Sequence, residues 1–170
     1  MKITLYMAMS VNGMIARKNG EEDFLSDGNW KKFVSLAKEY GNFIVGRNTY
    51  EEVGKWEDYN FDDIDAEKVV ISRNTSYHLD KGYTLASSPE DAIKKLSQKG
   101  FENILVTGGA TINSAFAKEG LIDEIILSVE PVFIGEGISL FSEKNFNLKS
   151  ELITTEKNGD LLTLHYRIVK

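Results

Sequence analysis

The chain has 170 residues, enough for one domain with a full core, and residues 1–170 read as a single domain. An apolar fraction of 42% disfavours a disordered chain, and a formal charge of -6 argues against a nonspecific nucleic-acid surface. Cysteine is absent and the two histidines, His78 and His165, are far apart, which argues against disulfides, a thiolate nucleophile and a zinc site.

Residues 3–10 read as a central strand. The opening MKITLYMAMSVNG has one lysine but no long apolar region or small-residue cleavage site, so it reads as a buried strand rather than an export signal. No run approaches the length needed to span a membrane, and a cytoplasmic protein is expected. Residues 11–16 continue the strand through an Asn12–Gly13 turn. Residues 17–28 are rich in charge and glycine and read as a mobile loop, with Glu21, Glu22 and Asp23 as a solvated charge run. Residues 29–40 read as a helix, because Trp30, Phe33, Val34 and Ala37 recur at helical spacing, and Gly41 closes it.

Residues 42–46 are a short buried strand, and 49–53 a brief helix. An acidic stretch with aromatics, 57–67, leads into strands at 68–72 and 83–86. Ser88, Pro89, Glu90 and Asp91 form a helix start, with serine as cap, proline in the first turn and acids at the positive end. Ala92, Ile93 and Leu96 give that helix its apolar stripe. A strand at 104–106, a helix at 112–118 and a strand at 122–130 follow. Short pieces at 132–135 and 139–141 flank a glycine-rich bend, and strands at 146–156 and 161–169 flank an Asn158–Gly159 turn. The alternation over the first two-thirds implies an α/β fold with parallel pairing, and the last third adds antiparallel edges.

Two places suit an anion. Thr107, Gly108, Gly109 and Ala110 follow a strand and open a helix, where backbone N–H groups can approach a phosphate with no Cβ in the way. A turn that merely needs glycine would look the same. Gly46, Arg47, Asn48 and Thr49 repeat the arrangement with a guanidinium added, although a surface arginine on a tight turn has the same spelling. A strand–Gly-x-Gly-x-x-Gly dinucleotide fingerprint is absent.

Four ordered segments carry a resemblance: MSVNGMIA at 9–16, FIVGRNTYEEVG at 43–54, VVISR at 69–73, and GGATINSAF followed by LIDEIILSVEPVFIGEGISLF at 108–141. Together they resemble the dihydrofolate-reductase-like superfamily, nearest to the reductase domain of the bacterial riboflavin-biosynthesis deaminase–reductase. The resemblance implies a three-layer sandwich with a mostly parallel sheet and antiparallel C-terminal strands. It implies NADPH as cofactor, with Gly46, Arg47, Asn48 and Thr49 at its phosphates. Ser72 and Arg73 would stand on the adenosine side, where two arginines suit a 2′-phosphate. The pyrophosphate loop would be Thr107 to Ala110, with a cis Gly108–Gly109 peptide, leading into Thr111 and Ile112. Ile112 also suits core packing. Ala8, Asn12 and Ile15 would form the nicotinamide wall.

On the substrate side the resemblance makes Asp27 the acid that orients a pyrimidine edge, with Glu21, Glu22 and Asp23 as further candidates within their charge run, while Asp27, Ser26 and Asn29 all remain candidate helix caps. Trp30 and Val34 would line the pocket, or enter the core. Asn12 stands where the riboflavin-pathway relatives have aspartate, and an amide is neither acid nor base. The implied activity is reduction of a small heteroaromatic or pyrimidine-like molecule, including 5-amino-6-(5-phosphoribosylamino)uracil in riboflavin biosynthesis. Dihydrofolate reduction and a non-catalytic nucleotide-binding homodimer are the alternatives. The resemblance further implies a homodimer through the C-terminal strands and residues 131–141, with no metal.

Overall fold

The computed structural model describes residues 1–142 and 145–170. In chain order the elements are β1 (Lys2–Ser10), β2 (Met14–Arg17), α1 (Asp27–Tyr40), β3 (Asn42–Gly46), α2 (Arg47–Val53), β4 (Glu67–Ile71), β5 (Tyr83–Ala86), α3 (Pro89–Gln98), β6 (Asn103–Val106), α4 (Ala110–Lys118), β7 (Glu124–Glu130), β8 (Gly137–Ser139), β9 (Ser150–Asn158) and β10 (Leu161–Ile168). Eight strands form one sheet in the order β5-β4-β3-β6-β1-β7-β10-β9. The strands from β5 to β7 are parallel, and β10 runs antiparallel to both β7 and β9. The three-layer α/β sandwich with antiparallel C-terminal strands is therefore observed.

Strand alternation sorts the core into two layers. Leu5, Ile44, Val69, Ile104 and Val106 face α3 and α4, packing with Ala92, Leu96 and Phe116. Their neighbours Tyr6, Phe43, Val45, Val70 and Leu105 face α1 and α2, packing with Phe33, Leu36, Ala37 and Val53. Since parallel strands are covered on both faces, they read as continuous apolar runs.

Several boundaries differ from the sequence reading, each for a local reason. Helix α1 starts at Asp27 because the Ser26 side chain accepts from the Asn29 N–H, and Gly41 closes it with φ 68°. Residues 11–16 do not continue β1. The chain turns at Gly13, φ 84°, and β2 leaves the main sheet to pair with β8 in a separate ribbon. Residues 132–135 form no strand, since the Ile134 backbone is bound by the Asn12 side chain instead. Strand β9 begins at Ser150 and β7 at Glu124.

One polar network crosses the layer between the sheet and α1. The buried Glu130 carboxyl, at the end of β7, accepts from the Ser26 N–H at 2.8 Å, the Ser26 hydroxyl at 2.7 Å and the Asn29 amide at 3.3 Å. The buried Tyr6 hydroxyl on β1 donates to Asn29 and lies 3.1 Å from Ser128 on β7. Burial drives the Tyr6 phenol well above its ordinary range, so it stays a neutral donor. These contacts fix where α1 begins relative to β1 and β7. Glu130→Ala strips three donors of their acceptor and is expected to cost about 3 kcal/mol, whereas Glu130→Gln keeps a carbonyl oxygen there and costs about 1 kcal/mol; urea unfolding of both variants measures the difference.

Candidate functional site

Strands β4, β3, β6 and β1 are parallel neighbours, so their C-terminal ends set Ser72, Gly46, Thr107 and Ala8 along one rim. Ligands of open α/β sheets bind at this rim. Its floor is backbone. The Gly46 N–H donates to the Gly108 carbonyl at 2.8 Å. A Cβ on Gly46 would lie 2.7 Å from Ile112 Cγ1, and one on Gly108, φ 85°, would lie 2.8 Å from Met7 Sδ. A Cβ on Gly109 would lie 3.0 Å from Thr49 Oγ1. The Gly108–Gly109 peptide is cis, as the resemblance implies.

The helices that open here lack side-chain caps. Gly109 is the N-cap of α4 and Gly46 that of α2, and neither has a side chain to accept from the first helical N–H groups. The capping hydroxyls of Ser26 on α1 and Ser88 on α3 make the contrast clear. Early N–H groups of α4 thus remain for an anion, which the helix dipole also favours. Thr111 is exposed at this start. Ile112 is half-buried and packs over Gly46, while Asn113 is buried, donates to the Leu140 carbonyl at 2.8 Å and leaves its Oδ1 unpartnered among the described residues. Arg47 is half-buried, Asn48 exposed, and Thr49 half-buried beside Gly109. Ser72 is buried and its hydroxyl accepts from the Asn74 N–H. Arg73 is exposed and makes no ion pair among the described residues. A cradle that excludes Cβ atoms, free amides, a hydroxyl and two guanidinium groups together fit a phosphorylated nucleotide.

On the opposite side Ala8 is half-buried, and Ile15 is buried in the core below the rim. Asn12 acts as a backbone mimic. Its amide donates to the Ile134 carbonyl at 2.7 Å, and its carbonyl accepts from the Ile134 N–H at 3.0 Å and the Ser10 hydroxyl at 2.8 Å. Both ends of the amide are thereby committed to tying the β1–β2 turn to residues 132–135. Asp27 is exposed in the first turn of α1, with Ser26 as the cap. Trp30 is packed by Phe33, Trp56, Tyr59 and Phe61, its ring 5.1 Å from that of Tyr59, and half-buried Val34 joins the same cluster. Among the described residues no group of three His, Asp or Glu is arranged to hold a metal ion, and no helix is long and apolar enough to cross a membrane.

Glu22 departs from the solvated run expected of residues 21–23. Its segment is folded back by backbone bonds from Arg17 N–H to the Glu21 carbonyl and from Leu25 N–H to the Glu22 carbonyl, and by an Arg17–Asp23 ion pair. Burial, reinforced by the Glu52 carboxylate on α2, pushes the Glu22 carboxyl up to about 7. Glu52 is itself held by Lys55 at 2.8 Å. No local pattern in a Glu-Glu-Asp run announces this, since the Glu52 carboxylate that reinforces it lies on α2, 30 residues on. Glu130 did carry a signal, as an acid closing the apolar run of β7, EIILSVE. Glu22 has a raised folded value, so between about 4.5 and 7 the folded chain keeps a proton that the unfolded chain has lost. Stability therefore falls as pH rises through that window. Glu22→Gln is expected to flatten this slope and to exceed the parent stability at pH 8 by on the order of 2 kcal/mol, measurable by urea unfolding from pH 4 to 8.

Comparison with known proteins agrees with this architecture. The match to the RibD C-terminal domain family spans residues 1–164. The uncharacterized protein YwjB of Bacillus subtilis (strain 168) is 34% identical over 172 aligned residues, 97% of each chain. The riboflavin biosynthesis protein RibD of Corynebacterium ammoniagenes is 25% identical over 154 residues, which cover 82% of this chain and 46% of that protein. The crystal structure of a putative riboflavin biosynthesis protein from Shewanella sp. PV-4 superposes with a TM-score of 0.81 at 28% identity over the whole of both chains. With nearly its full length matched, the chain belongs to the RibD C-terminal domain family.

Proposed function

We propose that this protein is an NADPH-dependent reductase of a small heteroaromatic, pyrimidine-like substrate. The observation that carries the reading is the Cβ-free cradle of Gly46, Gly108 and Gly109 beside the uncapped start of α4. Thr107 to Ile112 would hold the pyrophosphate, Arg47, Asn48 and Thr49 the neighbouring phosphate, and Ser72 and Arg73 the adenosine end. When bound, the reduced nicotinamide supplies the hydride. Ala8 and Ile15 shape the wall beneath it, and Asn12 keeps the β1–β2 turn in place rather than moving a proton. Trp30 and Val34 offer an aromatic and apolar flank. Asp27 orients the substrate edge from the first turn of α1. Glu22, its carboxyl pushed up to about 7, keeps a proton below neutrality and offers a donor at the approach to that helix.

Family membership supports the riboflavin-pathway pyrimidine 5-amino-6-(5-phosphoribosylamino)uracil as the first substrate to try, and the stretch around Arg47 supports dihydrofolate as the second. Titration with NADPH, followed by the fluorescence of Trp30 and Trp56, is expected to saturate. Loss of NADPH absorbance is expected with the pyrimidine and not with dihydrofolate. Absence of saturation with any nicotinamide nucleotide defeats the reading, while binding without turnover on either substrate favours a non-catalytic nucleotide-binding protein, the role that the committed amide of Asn12 suits best.

The same reading includes a homodimer. Edge strand β9 is exposed along its whole length, with Leu152 at 54% and Ile153 at 42%, and Leu162 on β10 is also exposed. Edges of this kind are protected by pairing or cover, and a two-fold contact supplies it. Light scattering at micromolar concentration is expected to give about twice 19.1 kDa, and Leu152→Lys with Ile153→Lys to return the monomer mass.

A further inference from the structure

Between β4 and β5 the chain folds back over α2 and closes a triangle of side chains. The Arg47 guanidinium lies over the Tyr77 ring, 5.4 Å from its centroid. The Tyr77 hydroxyl donates to Glu51 Oε1 at 2.8 Å, and the same oxygen faces Arg47 Nε at 3.5 Å. Arg47 and Glu51 are one helical turn apart on α2, whereas Tyr77 arrives from a different segment.

That segment is pinned on both sides of Tyr77. The Asn74 side chain accepts from the Ser76 N–H at 3.0 Å, and the Asn74 carbonyl accepts from the Tyr77 N–H at 3.1 Å. Beyond it, the Tyr50 hydroxyl donates to Asp80 at 2.6 Å, and the Tyr50 ring meets the Tyr83 ring edge-on at 4.9 Å. Tyr77 is therefore a fixed platform.

The consequence falls on Arg47. An unrestrained arginine in the first turn of a helix samples many rotamers, and ordering it on binding carries an entropic cost. Here the Tyr77 ring lies against the guanidinium and Glu51 faces Nε, so the terminal Nη groups are left for an incoming acceptor. Gly46 is in register with Ile71, which sets Arg47 and Arg73 just beyond the ends of adjacent strands.

We propose that Tyr77 and Glu51 are positioning residues that pre-set Arg47 for the extra 2′-phosphate of a phosphorylated dinucleotide, making Tyr77 a determinant of NADPH over NADH preference. This rests on the reading of the strand-end rim as a nicotinamide-nucleotide site. An exposed cation–π contact together with an exposed ion pair is modest, so Tyr77→Leu should weaken NADPH binding about threefold to fivefold and leave NADH binding within about twofold. Tyr77→Phe, which keeps the ring, should retain most of the NADPH affinity. Isothermal titration of the full chain with NADPH and NADH reads all of these, with circular dichroism checking that each variant is folded. In an Arg47→Leu background, Tyr77→Leu should change neither affinity further. Additive losses there, or an unchanged NADPH to NADH ratio in Tyr77→Leu, would overturn this proposal alone. If the parent chain saturates with neither nucleotide, the site reading falls and this proposal with it.

Discussion

The contact on which the site depends is the single hydrogen bond from the Gly46 N–H to the Gly108 carbonyl. It closes the gap between β3 and β6 just where both strands end. Neither partner suits a side chain, because Ile112 fills the space above Gly46 and Gly108 holds φ 85°, a conformation that L side chains rarely adopt. With the two backbones in contact, the starts of α2 and α4 meet, and Thr49 comes to rest against Gly109. Glycine is conformationally costly to order, by roughly 0.5–1 kcal/mol relative to alanine. That cost is offset by a sheet whose central strands are fully buried, with Phe43, Ile44, Val45, Leu105 and Val106 all inaccessible to water.

Much of this was legible in the residues. Apolar strands alternating with amphipathic helices gave the parallel sheet, and Gly41, Ser88 and Gly159 punctuated it as their chemistry requires. What stayed hidden was long-range. Strand β2 looked like a continuation of β1 because its pairing partner β8 lies about 120 residues away, and no local period reports such a partner. The role of Asn12 was hidden for the same reason, since an amide that binds the Ile134 backbone looks in sequence like a lost carboxylate. Trp30 showed helical spacing, but three of its four ring neighbours, Trp56, Tyr59 and Phe61, come from the irregular segment after α2. Glu22 stood among three adjacent candidate acids, and nothing local singled it out, because acidity in a loop is ordinarily a mark of solvation.

Glu22 and Glu130 show how differently two withdrawn carboxyls can be treated. Glu130 is provided with three donors, and through them it joins β7 to the start of α1. Glu22 has no such donors among the described residues, and burial together with Glu52 pushes it up to about 7, so it holds a proton well above the ordinary carboxylate range. The first arrangement specifies geometry. The second stores a titratable proton close to where α1 begins, and residues at functional sites are commonly tuned in this way.

An acidic chain proposed to hold an anion looks contradictory only if charge must come from side chains. The formal balance of -6 is spread over the surface, where solvent and salt screen it. At the rim the donors are instead main-chain amides at an uncapped helix start, which remain positive in character whatever the net charge. Arg47 adds a full charge there, but it is shared with Glu51, so the pair presents a directed fork rather than a broad positive field. Such a site selects an anion by shape and hydrogen-bond direction. It would discriminate poorly among phosphates by charge alone, so on the proposed reading the orientation of Arg47, not the number of basic residues, would be the quantity on which cofactor choice turns.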